Sequence, residues 1–313
     1  MKLAAPEQLH ERARVKAFTA DDIPYAMGVD HGRGFAPTSM CHLSYTPSYE
    51  RLNEAERRLY SQIVGQAIAE QFIFLEEHLL IPALEGVMQR MGGRLGTTLR
   101  MCFLDFIAEE YKHSDMFWRL LETAYPDQYP QREAAVYRQS KLKARMLTLM
   151  TDWPTFLTVW IWLGVLFEER TIDLFRKYEA DPAVDPLFKE VHRFHMLDEA
   201  RHVRIEEHLL AEVYDRTPAW QRQLNARLLN RVLRMFTHPS TSPRVAIEIV
   251  MQRHPRLRAF AAEFDRDIAG LGQNMTFQQA NFSRGVLPQT FNLLDEYPEM
   301  THLREGLPLY NRK

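Results

Sequence analysis

Apolar residues recur every three or four positions along most of the chain, which predicts helices rather than strands. Short clusters of glycine and proline, such as Gly92-Gly93 and the stretch 181–186, separate these segments and predict turns. Residues 1–48 have no period, because glycine and proline interrupt them. The predicted helices cover about 54–90, 95–121, 131–150, 155–175, 187–214, 219–236, 243–250 and 255–269.

This pattern predicts an all-α protein with three parts. Residues 1–48 form an irregular lead segment that wraps the helical body. Residues 49–215 form a helical bundle, and residues 216–313 add helices that pack on it within the same domain.

One predicted helix carries polar side chains on a single stripe. His195, Glu199 and His202 follow one another by four and then three residues, so all three point the same way. Imidazole nitrogen and carboxylate oxygen are common ligands for divalent metal ions, and they are poor material for a dry core. The alternative is that this short motif lies on a solvated helix surface.

A second helix upstream repeats the pairing of glutamate and histidine three residues apart. Glu110 and His113 lie on an otherwise apolar stripe with Phe103, Phe106 and Phe117. Two such pairs, with one glutamate from each of two further helices, form the ligand set of di-iron four-helix bundles. The pattern therefore predicts a ferritin-like four-helix core with additional peripheral helices.

Two further helices each offer two adjacent glutamates as the missing ligand. Glu76 lies on an apolar stripe, but Glu77, about 100° round the helix, also has apolar neighbours. Glu168 shares a face with apolar residues, whereas Glu169 aligns with a more polar set. Glu76 and Glu168 are the preferred candidates, and Glu77 and Glu169 stay open as alternates.

Two other residues are candidates for roles beside a metal. Asp198 precedes Glu199 and could accept a hydrogen bond from a metal-bound histidine, as carboxylates commonly do, or it could be a surface acid. Gly164 lies one turn before Glu168, where a missing side chain would leave room for oxygen or substrate. Close packing of two helices would explain this glycine equally well.

Composition limits the partners and the compartment. The 313 residues carry a formal net charge of −2, so nothing indicates nucleic acid or an anionic membrane surface as a partner. The two cysteines, Cys41 and Cys102, give no disulfide framework, which fits a reducing compartment. The longest apolar run, 156–167, is about half of a bilayer span. We expect a cytoplasmic protein.

The order of these motifs resembles the ferritin-like di-iron superfamily. Within it, the arrangement EE…DPxVxPL…RxHxxxEARH in residues 168–202 resembles the AurF-type para-aminobenzoate N-oxygenases. The resemblance covers roughly residues 45–215 and implies that the corresponding side chains bind two irons. Those side chains are Glu76, Glu110, His113, Glu168, His195, Glu199 and His202.

The resemblance also implies an activity. A di-iron centre would use dioxygen to oxygenate an amine nitrogen of a small molecule, first to hydroxylamine and then to nitroso or nitro. Electrons would come from an external reductase, and the role would lie in secondary-metabolite biosynthesis. A manganese and iron pair, and assembly as a homodimer, stay open. The alternatives are a di-iron C–H hydroxylase, a ferritin-like iron-oxidising protein and a metal-free helical interaction protein.

Overall fold

In a computed structural model, which describes residues 3–138, 145, 147 and 154–310, the chain is all-α. No strand forms among these residues beyond a single bridge between Gly34 and Val184. The helices are α1 (Pro6–Val15), α2 (Glu54–Leu75), α3 (Ile81–Met91), α4 (Thr97–Ala124), α5 (Leu157–Ala180), α6 (Pro186–Leu209), α7 (Ala219–Thr237), α8 (Thr241–Arg253), α9 (Ala261–Gly270), α10 (Met275–Phe282) and α11 (Pro288–Asp295).

Four long helices form the core of the molecule, which confirms the predicted fold class. α2 packs along α4, α4 along α6, and α6 along α5. Each helix buries an apolar face between its neighbours, and this shared burial stabilises the bundle. α7 packs on α5, and α8 packs on α2, so C-terminal helices lie against the core.

α2 begins at the predicted position and continues into α3 through a wider turn. The Asn53 side chain accepts a hydrogen bond from the Glu56 amide at 3.0 Å, and Glu56 accepts one from the Asn53 amide at 2.8 Å. Residues Glu76–Leu80 then form a π-helical turn. Pro82, two residues after this turn, has no N–H to donate, so the regular hydrogen-bond ladder is interrupted here. The first residue of the wide turn is Glu76.

The lead segment is more ordered than predicted, because residues 6–15 form helix α1. Pro6 occupies the first turn, where its missing N–H costs nothing, and Leu9 and Ala13 are buried. α1 packs on α4 and α6, and His10 Nδ1 lies 2.6 Å from Asp105 Oδ2. Short 3₁₀ turns between residues 20 and 51 make up much of the rest.

The helix predicted for 131–150 is wrong over its described beginning. Arg132 has a left-handed backbone, with φ of 53°, which a helix does not allow. The Glu70 carboxylate accepts hydrogen bonds from the amides of Ala135 at 2.8 Å and Val136 at 2.9 Å, and from Tyr137. These amides are therefore directed at a side chain instead of a helical ladder. Most of the remaining predicted helix lies outside the described residues.

Candidate metal centre

The bundle helices bring the seven predicted side chains together in its interior. The turn after α2 contributes one glutamate, α4 a glutamate and a histidine, α5 a glutamate, and α6 two histidines and a glutamate. None is more than 5% exposed. Those residues are Glu76, Glu110, His113, Glu168, His195, Glu199 and His202.

Within this cluster, two groups have ligand atoms close enough to share an ion. Glu110, His113, Glu199 and His202 form one group, with their ligand atoms within 4.8 Å of one another. Glu76, His113 and His195 form the other at the same spacing. His113 belongs to both, so the two groups are adjacent.

The α6 stripe supplies the centre of the cluster. His195 Nε2 lies 2.7 Å from Glu199 Oε1 and 3.4 Å from Glu76 Oε1. His202 Nδ1 lies 3.4 Å from Glu199 Oε2. The three α6 side chains therefore converge, as their spacing of four and three residues predicts.

The α4 pair closes the cluster from the opposite side. Glu110 Oε1 lies 3.1 Å from His202 Nδ1 and 3.6 Å from His113 Nδ1. His113 Nδ1 also lies 3.5 Å from Glu199 Oε1. Glu110 and Glu199 thus face each other across the imidazoles of two helices.

The adjacent glutamates that the sequence left open point to different places. Glu168 Oε2 lies 3.6 Å from His202 Nδ1, although Glu168 belongs to neither of the two close groups. Glu169 instead accepts hydrogen bonds from the amides of Gln289 and Thr290, in the first turn of α11, each at 2.7 Å.

Glu76 and Glu77 also point to different places. Ser114 Oγ donates to Glu76 Oε2 at 3.0 Å, which orients Glu76 toward the cluster. Glu77 accepts a hydrogen bond from Trp118 Nε1 at 3.0 Å. The structure therefore brings Glu76 and Glu168 to the cluster and directs Glu77 and Glu169 elsewhere.

A second layer of carboxylates holds the outer nitrogens of two histidines. His113 Nε2 lies 3.1 Å from Asp198 Oδ2, and His202 Nε2 lies 2.9 Å from Glu109 Oε2. Asp198 is thus placed against a histidine of a neighbouring helix. Each ring directs one nitrogen inward and the other at a carboxylate, the arrangement that fixes a metal-binding imidazole.

Two cations balance this outer layer. Lys112 Nζ lies 2.7 Å from Asp198 Oδ2, and Arg201 pairs with Glu109 and lies 3.0 Å from Asp198 Oδ1. Asp198 was predicted from the sequence, whereas Glu109, Lys112 and Arg201 were not. The available signal was the run of acidic and basic residues directly beside the inner glutamates and histidines on α4 and α6.

Protons and imidazoles balance the charge of the inner cluster when no metal is bound. Burial raises the pKa of Glu76 well above its usual value, and burial also raises that of Glu199. Burial opposes ionisation of Glu110 too, but His113 and His202 beside it outweigh that effect and lower its pKa to about 2. Burial by itself would lower the pKa of His113, but hydrogen bonds with Asp198 and Glu110 outweigh burial and raise that pKa to about 10.

The donor atoms of the cluster fit a pair of cations. Several inner atoms lie close to one another as histidine–carboxylate contacts but have no well-aligned hydrogen bond to any described residue. A buried carboxylate without a partner costs several kcal/mol, which a divalent ion offsets. The atoms are Glu76 Oε1, Glu110 Oε1, His113 Nδ1, Glu199 Oε1 and Oε2, and His202 Nδ1.

A comparison with protein families agrees with this geometry. Residues 4–266 match the family model described as P-aminobenzoate N-oxygenase AurF. The chain belongs to the AurF family. It is therefore an N-oxygenase by family, an oxidoreductase with a buried cluster of glutamate and histidine. A comparison with curated proteins gives no match.

A small cavity beside the cluster gives this AurF-family chain room for a reactant. The cavity has a volume of about 50 Å³, and Glu76, Glu110, Glu168 and His195 line it together with Gly164. Most of its remaining lining is apolar, from phenylalanine, leucine and tryptophan side chains. Gly164 is therefore placed beside the cluster.

Gly164 also allows a close approach from α6. A Cβ at position 164 would lie 1.9 Å from Glu206 Oε1, so any larger residue would require that carboxylate to move. Glu206 is buried, and burial raises its pKa well above the usual value. The sequence analysis missed Glu206, although it lies four residues after His202 and continues the same stripe.

Removing individual side chains should change metal content. His195→Ala should bind fewer than two iron ions per chain, since one of the two groups loses a nitrogen donor, and helicity should be nearly unchanged. Glu110→Ala should lose more iron, because its carboxylate faces both His113 and His202. Elemental analysis and circular dichroism measure both. His78→Ala, which removes an exposed imidazole near Glu76, is the control. Full iron content in His195→Ala would remove that residue from the ligand set.

Iron binding should release protons, so affinity should rise with pH. His113 and His202 have raised pKa values in the metal-free protein and must lose protons to coordinate an ion. An anaerobic titration with Fe(II) in the presence of a pH indicator dye counts the released protons. We expect more than about one proton per chain, and tighter binding at about pH 8 than at about pH 6. Affinity that does not change over this range would contradict the assignment.

Filling the space at position 164 should destabilise the protein. Gly164→Ala would force the Glu206 carboxylate to move, at a cost of about 1–3 kcal/mol in the free energy of unfolding. Urea denaturation measures this cost. Gly93→Ala is the control, because a Cβ there meets nothing within 4 Å. Adding Glu206→Ala to Gly164→Ala should recover part of the loss, and no recovery would show that the two residues are not coupled.

Proposed function

We propose that this chain is a di-iron N-oxygenase that uses dioxygen to oxygenate the amine nitrogen of a small molecule. The product would be a hydroxylamine, with further oxidation to nitroso or nitro. The observation that carries the proposal is the pair of adjacent buried ligand groups that share His113 in a chain of the AurF family.

Iron is the metal we propose for both positions. Three imidazole nitrogens and four carboxylates form a mixed donor set that suits iron, and carboxylate-rich sites also accept manganese. The seven side chains would hold two ions, with His113, His195 and His202 as nitrogen donors. When bound, the irons would supply the reduction of dioxygen and the transfer of oxygen to the amine.

The protein orients the proposed ligands and keeps water away from them. Asp198 and Glu109 hold the outer nitrogens of His113 and His202, which keeps the inner nitrogens free to bind a metal. Ser114 holds one oxygen of Glu76, so the other faces His195. Because the whole cluster is buried, water is excluded and each electrostatic contact is stronger than in solution.

The small cavity is the place we propose for the amine. It lies against four of the proposed ligands, and its other walls include Phe72 and Trp160. At about 50 Å³ the cavity is smaller than an aromatic ring, so only the amine nitrogen of a compound such as the p-aminobenzoate named in the family description would enter it. That nitrogen would then lie next to the metal pair.

Electrons would come from a separate protein. The sequence has no Gly-rich dinucleotide or flavin motif, so an external reductase would return the irons to the ferrous state. We also propose a biosynthetic role, a cytoplasmic location and, as one assembly state, a homodimer. Among the described residues, no helix is both long enough and apolar enough to cross a membrane.

Product analysis tests the proposed reaction. Iron-loaded protein with a chemical reductant and ¹⁸O₂ should convert p-aminobenzoate or a related arylamine to a product labelled on nitrogen, detected by mass spectrometry. Glu110→Ala should lower this rate at least about a hundredfold, since a misplaced metal ligand removes the catalyst. His78→Ala should retain activity.

Two outcomes would contradict the proposed reaction. Label on carbon would show a C–H hydroxylase built on the same bundle. Oxidation of Fe(II) with no labelled organic product across a panel of arylamines would show an iron-oxidising protein.

A further inference from the structure

A second and larger cavity adjoins the one beside the cluster. Its volume is about 510 Å³, and Phe72, Leu75, Phe167 and Thr171 line both cavities. Its walls come from α2 and α5, from the turn between α7 and α8, from α10 and from the lead segment. A substrate whose amine lies at the metal cluster would extend into this space.

The charged residues that are described in the lining of the large cavity are all cations. Arg170 and Arg138 line it, and no aspartate or glutamate does so among its described lining residues. Asp173, three residues further along the same helix, pairs with Lys177 at 2.8 Å, and its charge also acts on Arg170 from outside the cavity lining. The cavity therefore presents positive charge that its described walls do not neutralise.

Arg170 is the centre of this positive charge. Its guanidinium lies 4.5 Å from the ring centroid of Phe282, and it forms no ion pair with a described carboxylate. Burial lowers the pKa of Arg170 to about 10, so the side chain is still a cation at neutral pH. A partly buried guanidinium that forms no ion pair with a described carboxylate favours an anionic ligand.

The beginning of α8 adds neutral donors to the same cavity. Ser240, Thr241 and Ser242 line the cavity, and the Ser240 side chain does not cap the helix. The N–H groups of Thr241 and Ser242 at the start of this 13-residue helix have no helical partner and favour negative charge, whereas Pro243, next in the same turn, has no N–H. His42 also lines the cavity, and burial lowers its pKa to about 4, so it faces the cavity as a neutral imidazole.

We propose that this wall is a phosphate subsite, in which Arg170 and the first turn of α8 bind a phosphate group on the amine substrate. The inference rests on the proposed function for the position of the amine and goes beyond it by naming the substrate class. That class is an amine joined to a phosphate monoester.

Phosphate fits this wall better than carboxylate does. Two guanidinium groups in a cavity without a described acid suit a dianion. A helix N-terminus with serine and threonine hydroxyls offers more donors than two carboxylate oxygens accept, whereas a phosphate monoester has three free oxygens. The cavity volume also leaves room beyond a single ring.

Binding measurements test the subsite without turnover. Calorimetry on the iron-loaded full chain under anaerobic conditions compares aniline, 4-aminobenzoate and 4-aminophenyl phosphate. We expect the phosphate to bind at least about tenfold more tightly than aniline, as one charge-assisted contact predicts. Arg170→Met should remove most of that gain and leave aniline binding nearly unchanged.

Two further variants make the result specific. Arg176→Met removes an exposed cation from the same helix, away from the cavity, and should bind all three ligands normally. Arg170→Lys keeps the charge and should retain part of the phosphate gain, which tests the subsite even if Arg170→Met folds poorly.

Three results would overturn the assignment. Phosphate affinity that is unchanged in Arg170→Met and accompanied by a new optical spectrum would place the phosphate on the irons. If Arg170→Met weakens the binding of 4-aminobenzoate and of 4-aminophenyl phosphate by the same factor, the site does not prefer phosphate. Equal loss in Arg176→Met would show a general charge effect. Because no product is measured, failure of N-oxygenation would leave this test intact.

Discussion

The structure depends on the charge balance of a cluster buried inside a helical bundle. Four glutamates and three histidines, none more than 5% exposed, meet where four helices converge. Ionised carboxylates in such a place destabilise the fold unless cations accompany them. Without a metal, the raised pKa of His113 favours its positively charged form, and the raised pKa of Glu76 favours its neutral form. Both reduce the net negative charge of the cluster. A pair of divalent ions would reduce that charge further and would use the donor atoms that otherwise have no well-aligned hydrogen bond.

The bundle holds these groups in position by simple means. Spacings of three and four residues place donors on single stripes of α4 and α6. A π turn opens the second helix at Glu76, as such turns often do at functional sites. Outside the inner groups, Asp198 and Glu109 fix the imidazoles and are themselves balanced by Lys112 and Arg201.

Helical periodicity made the central part of this site predictable. The stripe of His195, Glu199 and His202 needs only the 3.6-residue period, and the repeat at Glu110 and His113 indicated the bundle. The choice between adjacent glutamates was harder, because Glu77 has apolar neighbours as Glu76 does, and Glu169 differs from Glu168 only in lying on a more polar face. Tertiary contacts decide it: Trp118 binds Glu77, and the first turn of α11 binds Glu169.

Other features depend on contacts between distant parts of the chain. Residues 135–137 are not helical because Glu70, more than sixty residues earlier, accepts their amide hydrogens. Helix α1 forms against α4 and α6, which its weak local pattern did not indicate. The place of Glu206 beside the cluster depends on Gly164, because the missing Cβ of the glycine makes space for the carboxylate.

Anomalous diffraction at the iron edge tests the central claim most directly. Crystals of protein loaded anaerobically with Fe(II) should show two peaks per chain inside the bundle. One should lie among Glu110, His113, Glu199 and His202, and the other beside Glu76 and His195. A single peak, or iron found only at the protein surface, would contradict the account.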